Sequence, residues 1–245
     1  MKPVLAIGDV HGHYDRLEAL LVQEGVIDET GARTPLDVSV VQLGDLGHFG
    51  NDTRGRDLLC YKAATTGRWL DIVLWGNHDR AVFDEAKHYF SGYARPRLKT
   101  EQLMQLLVAE GRMHLALEAH GFLLTHAGVH PRIKYNRGVP DEAKVDPIVF
   151  VKWTDEHWED GSAVVDAIGW RRGGSDDVGG ILWRDATEKL CASYRQVFGH
   201  TQGDKVRKYA SDRGWSYCID VGNQYNGRLA AIWLPEERVV EVDLS

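Results

Sequence analysis

Residues 4–12 read VLAIGDVHG: four apolar side chains, a glycine, then an aspartate and a histidine either side of a valine. A short apolar run containing branched side chains suits a strand buried on both faces. The glycine lets the chain turn sharply where the strand ends and leaves the polar side chains beyond it uncovered. The pattern returns four times. Residues 38–43 lead into Gly44-Asp45, Ile72–Leu74 into Trp75-Gly76-Asn77-His78-Asp79, Phe122–Thr125 into His126-Ala127-Gly128, and 196–198 into Gly199-His200. If these strands share one parallel sheet, their carboxyl ends line the edge where α/β folds place ligands. Asp9, His11, Asp45, Asn77, His126 and His200 are then expected to converge.

These donors are oxygens and imidazoles, a set that suits Mn, Fe or Zn and disfavours Mg or Ca as sole occupant. Six donors exceed what one site with open positions needs, and two metals sharing one carboxylate account for the count. Asp9 and Asp45 serve as anionic ligands in that reading and Asn77 as a neutral oxygen. An isolated histidine is more often structural, and His13, His88, His114, His120, His130 and His157 are read that way.

Further runs at 217–219, 229–234 and 239–242 read as strands, and 14–24 and 100–110 carry helical spacing. Alternating elements followed by a strand-rich end predict an α/β chain of two packed sheets flanked by helices. Residues 1–245 are expected to form one domain. The stretch 131–180 breaks the rhythm, with Trp153, Trp158, Trp170, Arg171, Arg172 and GGSDDVGG. It reads equally as an excursion of loops and short helices over one face or as an ordinary helical segment.

The composition, 43% apolar and 27% charged, is that of a globular protein. No run approaches the roughly 20 apolar residues of a membrane span, and the N-terminus does not resemble a signal peptide. Cytoplasmic residence is the resulting expectation. The net charge of −7 argues against broad nucleic-acid binding but not against a small phosphorylated ligand. Cys60, Cys191 and Cys218 lack metal-finger spacing and read as small core residues.

Taken in order, GDVHG, GDLGHFG, GNHD, HAG and FGH resemble the motif series of the calcineurin-like metallophosphoesterases. The likeness is nearest to bacterial members of the phosphoprotein phosphatase group and to the related symmetric dinucleoside tetraphosphate hydrolases. It implies a four-layer sandwich, two mixed sheets between helices, and a dinuclear metal centre, with manganese the leading candidate and iron or zinc the others. By position it assigns Asp9 and His11 to the first metal, makes Asp45 the bridging carboxylate, and gives Asn77, His126 and His200 to the second. His78 becomes the acid that protonates a leaving oxygen, a role that contributes typically 10²–10⁴-fold.

The motifs also depart from the series. Against GDxxDRG, this chain has His48 and Phe49 where an acid and an arginine are expected, and Trp75 stands where LRGNHE has its arginine. A histidine at 48 cannot raise the pKa of His78 as an anion would. Phe49 and Trp75 read more readily as packing than as surfaces for a substrate ring. Replacement cations are sought in Arg54, Arg56 and Arg184, and Asn77 and His48 are further candidates for substrate contact. The resemblance therefore implies a phosphomonoesterase acting on phosphoserine or phosphothreonine in proteins. The alternatives are a dinucleoside polyphosphate hydrolase, a nucleic-acid phosphodiesterase and a non-catalytic scaffold. GNHD leans toward the dinucleotide enzymes, and the complete ligand set argues against a scaffold.

Overall fold

The computed structural model describes residues 2–50, 56–82, 98–132, 138–157 and 163–244. Its first sheet has six strands. β1 (Val4–Ile7), β2 (Ser39–Gln42), β3 (Ile72–Leu74) and β4 (Met113–His114) run parallel. On the other side of β1, β10 (Arg228–Leu234) and β11 (Arg238–Asp243) are antiparallel additions. The second sheet holds β5 (Ala116–Ala119), β6 (Phe122–Thr125), β7 (Arg195–Phe198), β9 (Gly214–Cys218) and β8 (Arg207–Ser211) in that spatial order. Its centre, β6–β7–β9, is parallel and its edges are antiparallel, so both sheets are mixed.

The period-2 alternation of strands divides the core. Val4 and Ala6, Val41, Leu74, Phe122 and Leu124, Val197, Tyr217, and Ala230, Ile232 and Leu234 form the buried layer between the sheets. The intervening residues Leu5, Ile7, Val40, Val73, Leu229 and Ala231 share a cluster with helical side chains. Those come from α1 (Tyr14–Gln23), through Leu17, Leu20 and Leu21, from α2 (Arg56–Ala64), through Tyr61 and Ala64, and from α4 (Leu98–Ala109), through Met104 and Leu107. Strands covered on both faces read as unbroken apolar runs, which is why the sequence announced them clearly.

The chain past 131 mixes short elements. A 3₁₀ turn at Glu142–Lys144 precedes α5 (Pro147–Glu156), whose Asp146 N-cap accepts from Ile148 N at 2.8 Å and whose first residue is proline. The four-residue α6 (Ala163–Asp166) and a 3₁₀ turn at Trp170–Arg172 follow. Trp158 lies outside the described residues. Among the described residues no helix is long and apolar enough to cross a membrane.

The five donor turns divide between the two sheets, so the condition that they share one sheet is not met. β1, β2 and β3 belong to the first sheet, β6 and β7 to the second. The donors still meet, because packing the sheets face to face sets the carboxyl ends of their parallel strands side by side. Gly199 N donates to His126 O at 2.7 Å within the second sheet, and His126 Nδ1 reaches across to Leu43 O at 2.9 Å.

Candidate dinuclear metal centre

Backbone hydrogen bonds tie the donor loops together before any side chain is considered. Val10 N and His11 N both donate to Asp45 O, at 3.1 and 2.8 Å, and Gly12 N donates to Leu46 O at 3.0 Å. This knitting holds three donors, His11 at φ 50°, Asp45 at φ 55° and His200 at φ 68°, in the left-handed region that non-glycine residues rarely occupy. Such strain persists only where surroundings over-determine it, and it concentrates at functional sites. Two glycines permit the crowding. A Cβ on Gly76 would collide with Asp45, and one on Gly199 with Asp9 Oδ1.

The side chains then converge. Asp45 Oδ2 lies 3.6 Å from His126 Nε2, 3.9 Å from His11 Nε2 and 3.9 Å from His78 Nε2. These separations exceed hydrogen bonds, yet two donors about 2.1 Å from one tetrahedral cation stand roughly 3.4 Å apart. His11 Nε2 is also 3.9 Å from Asp9 Oδ2. Among the described residues, two groups that include carboxylates emerge, Asp9–His11–Asp45 and Asp45–His126–His200, joined through Asp45.

The protonation of His126 sharpens the fit to a metal. Its Nδ1 faces the Leu43 carbonyl, which can only accept, so Nδ1 carries the proton. Burial pushes its pKa down to about 3, which keeps the ring neutral and leaves Nε2 with only a lone pair. That lone pair faces Asn77 Oδ1 at 3.0 Å and His200 Nδ1 at 3.1 Å. The two acceptors His126 Nε2 and Asn77 Oδ1 repel each other unless a cation lies between them. His200 Nε2 and His11 Nδ1 are also buried without a hydrogen-bond partner among the described residues. Burial raises Asp9 well above the carboxylate range, with Asp220 and Asp45 adding to it, and burial followed by the charge of Asp79 raises Asp45. The residues fit a pair of divalent cations, which would reverse each of these penalties.

The loops are carried by carboxylates that the sequence reading passed over. Asp79, in α3 (Asn77–Ala81) and fully buried, accepts from Asp45 N at 2.6 Å, Leu46 N at 3.3 Å, Gly47 N and Gly76 N at 3.2 Å, and Tyr61 Oη at 2.6 Å. Asp57 accepts from His48 N at 2.9 Å and Phe49 N at 3.2 Å. Asp220, raised by burial to about 6, adds charge beside Asp9. In the sequence, GNHD and CIDVG held Asp79 and Asp220 in view, but only the assembled loops give them partners.

The departures have physical answers. His78 Nδ1 donates to the backbone carbonyl of His48 at 2.9 Å, so a peptide oxygen orients the imidazole where the motif's acid is missing. Its Nε2 points to Asp45, and its own backbone N–H donates to Asp45 Oδ1 at 2.9 Å. The His48 ring stacks on His78 at 5.0 Å between centroids. Phe49 is buried against Tyr61 at 6.2 Å and Trp75 lies in the core, so both pack. Arg184 is fully buried. It gives Nε to Ala127 O at 2.9 Å and Nη1 to Asp185 O at 3.1 Å and Glu188 O at 2.8 Å, contacts that brace the loop after His126. Arg56 is half exposed beside Asp15, and Arg54 lies outside the described residues. One cation that the sequence reading gave no site role, Arg172, donates to Thr201 Oγ1 at 2.6 Å, next to His200, and pairs with Asp185 at 3.0 Å. Its charge acts on Asp45, His126 and His200 alike.

The profile of the calcineurin-like phosphoesterases matches residues 2–204. A search among curated proteins returned no match. Among solved structures, a proposed diadenosine tetraphosphatase is 21% identical, with 98% of this chain and 93% of that chain covered and a TM-score of 0.50. The cold-active protein-tyrosine phosphatase of a psychrophilic Shewanella species is 17% identical, with 98% and 77% covered and a TM-score of 0.62. At these identities the likeness establishes the fold.

Proposed function

The chain belongs to the calcineurin-like phosphoesterase family and is a hydrolase of phosphoric esters, and from that premise we propose a dinuclear phosphomonoesterase acting on phosphorylated protein side chains in the cytoplasm. The observation that carries this reading is the single oxygen of Asp45, with three imidazole nitrogens 3.6–3.9 Å away. In this reading Asp9, His11 and Asp45 hold one cation, and Asp45, Asn77, His126 and His200 hold the other. Two divalent ions, manganese being our first choice, supply Lewis acidity toward phosphate oxygens and lower the pKa of water from 15.7 toward about 7.

The chain's own residues handle the rest. Burial keeps His78 neutral, down to about 3, and the His48 carbonyl fixes the proton on Nδ1. Nε2, 3.9 Å from Asp45 Oδ2, is the ring nitrogen that would take a proton from the attacking water and pass it to the leaving oxygen. Arg172 contributes the positive charge that the second and third motifs lack, arriving from the 131–180 segment and anchored one residue from His200. A guanidinium held this way presents a planar fork suited to phosphate. The whole chain then acts as one unit, with that segment forming the substrate-facing side.

A second reading, hydrolysis of dinucleoside tetraphosphates, is favoured by the GNHD ending and by the fold shared with the proposed diadenosine tetraphosphatase. Steady-state turnover by the Mn-loaded protein separates the two, using phosphothreonine and phosphotyrosine peptides, p-nitrophenyl phosphate and diadenosine tetraphosphate. The first reading expects the highest kcat/KM on a phosphopeptide. A preference for the dinucleotide of more than about tenfold would overturn it in favour of the second.

A further inference from the structure

His48 brings a fifth imidazole to the centre, beside those of His11, His78, His126 and His200. The ligand atoms of His11, His48 and His78 all lie within 4.8 Å of one another. Their rings touch on every side: His11 meets His48 edge-on at 5.3 Å, His11 meets His78 at 5.0 Å, and His48 stacks on His78 at 5.0 Å. The loop holding His48 is not adaptable. Asp57 takes two successive backbone N–H groups, His78 takes the His48 carbonyl, and Phe49 is locked behind it at φ 55°. The His48 side chain is therefore pre-positioned by its own backbone.

The chemistry of this trio differs from that of the dinuclear groups. Those contain carboxylates, oxygen donors that admit manganese as well as zinc, whereas a site of three imidazoles and no carboxylate favours zinc, copper or nickel over manganese. We propose that His11, His48 and His78 form an inhibitory site for a zinc-like divalent ion, overlapping the first catalytic position through His11. Because the trio includes His11 and His78, filling it withdraws His11 from the first catalytic position and His78 from proton transfer. The enzyme is then active with manganese and silenced by excess zinc. The inference rests on the phosphoesterase reading for its effect on activity, but not for the binding of zinc.

The test uses the full chain, His48→Ala, His48→Gln as a polar variant of similar bulk, and His120→Ala as a remote control on the turn between β5 and β6. Zinc affinity is measured by competition with a chromophoric chelator in the presence of saturating manganese. Inhibition by zinc is read relative to each protein's own manganese-supported rate. The wild type and His120→Ala are expected to bind one zinc tightly and to be inhibited. Both His48 variants should lose at least about tenfold in zinc affinity, with a matching rise in inhibition constant. Unchanged zinc affinity in a folded His48 variant overturns the inference, as does unchanged inhibition. A wild type that binds zinc but shows no manganese-dependent turnover contradicts the phosphoesterase reading and leaves the zinc titration to decide this one.

Discussion

Asp79 touches no proposed ligand atom directly, yet it receives four backbone N–H groups from the loops carrying Asp45 and Asn77. Replacing it with alanine strands those buried donors, and we expect a loss of about 3 kcal/mol or more in denaturant unfolding. Metal affinity should fall about 10–100-fold, because a supporting residue orients the ligands. His78→Ala should behave in the opposite way. Its unfolding midpoint and metal content stay near wild type, while kcat falls about 10²–10⁴-fold. Gly199→Ala should bind metal poorly, since its Cβ takes the space of Asp9 Oδ1; a titration with normal stoichiometry and affinity would contradict the crowded geometry. At this scale the sequence singled out six candidate donors, because each follows an apolar run and sits at a glycine-flanked turn, and the structure brings them close together. It did not disclose the carbonyl of His48 as the partner of His78, since every residue type has a carbonyl. Nor did it disclose Arg172, because that side chain meets Thr201, 29 positions further along the chain, only once the fold has formed.

Elements were legible in proportion to their burial. β1, β2, β10 and the helix α1 match the expected segments within two residues at each end, their patterns being set by two covered faces or one apolar stripe. β8 went unread because it is an edge strand alternating between half-buried and exposed side chains, and β4 because it has two residues. Of the basic residues of β8, Arg207 reaches toward the Cys218 sulfur, while Lys208 is exposed and lies over the Tyr217 ring. One contact between elements should be visible in the pH dependence of stability. His114 in β4 lies 3.6 Å from Asp155 in α5, and hydrogen bonding to that carboxylate raises its pKa above the usual value. Folding therefore favours the protonated ring. The pair's contribution is fully present below about pH 6.5 and is lost as pH rises through the raised folded value. Both groups are partly exposed, so the effect stays under about 1 kcal/mol. Unfolding curves between pH 5.5 and 8 should show this extra slope in the wild type and its absence in Asp155→Asn.

Across the whole molecule, the site exists because two mixed sheets pack face to face with parallel strand ends at one edge. The sequence pointed to two sheets but left open how the donor strands divide between them. Period-2 patterning tells which residues are buried and not which sheet a strand joins. The 131–180 segment carried no periodicity to read, and its contribution depends on Arg172 reaching back to Thr201 and Asp185. Arg172→Ala should raise KM for phosphomonoesters more than it lowers kcat, and steady-state kinetics on p-nitrophenyl phosphate would reveal the split. The central claim is that Asp45 unites two cations in one hydrolytic centre. Its most direct test is a manganese titration of chelator-stripped protein, following bound metal and p-nitrophenyl phosphate hydrolysis together in the wild type and Asp45→Asn. The account predicts full rate only after the second equivalent binds, and neither complete binding nor turnover in the variant. Full rate in the stripped protein, full rate after one equivalent, or an Asp45→Asn protein as active as the wild type would contradict it.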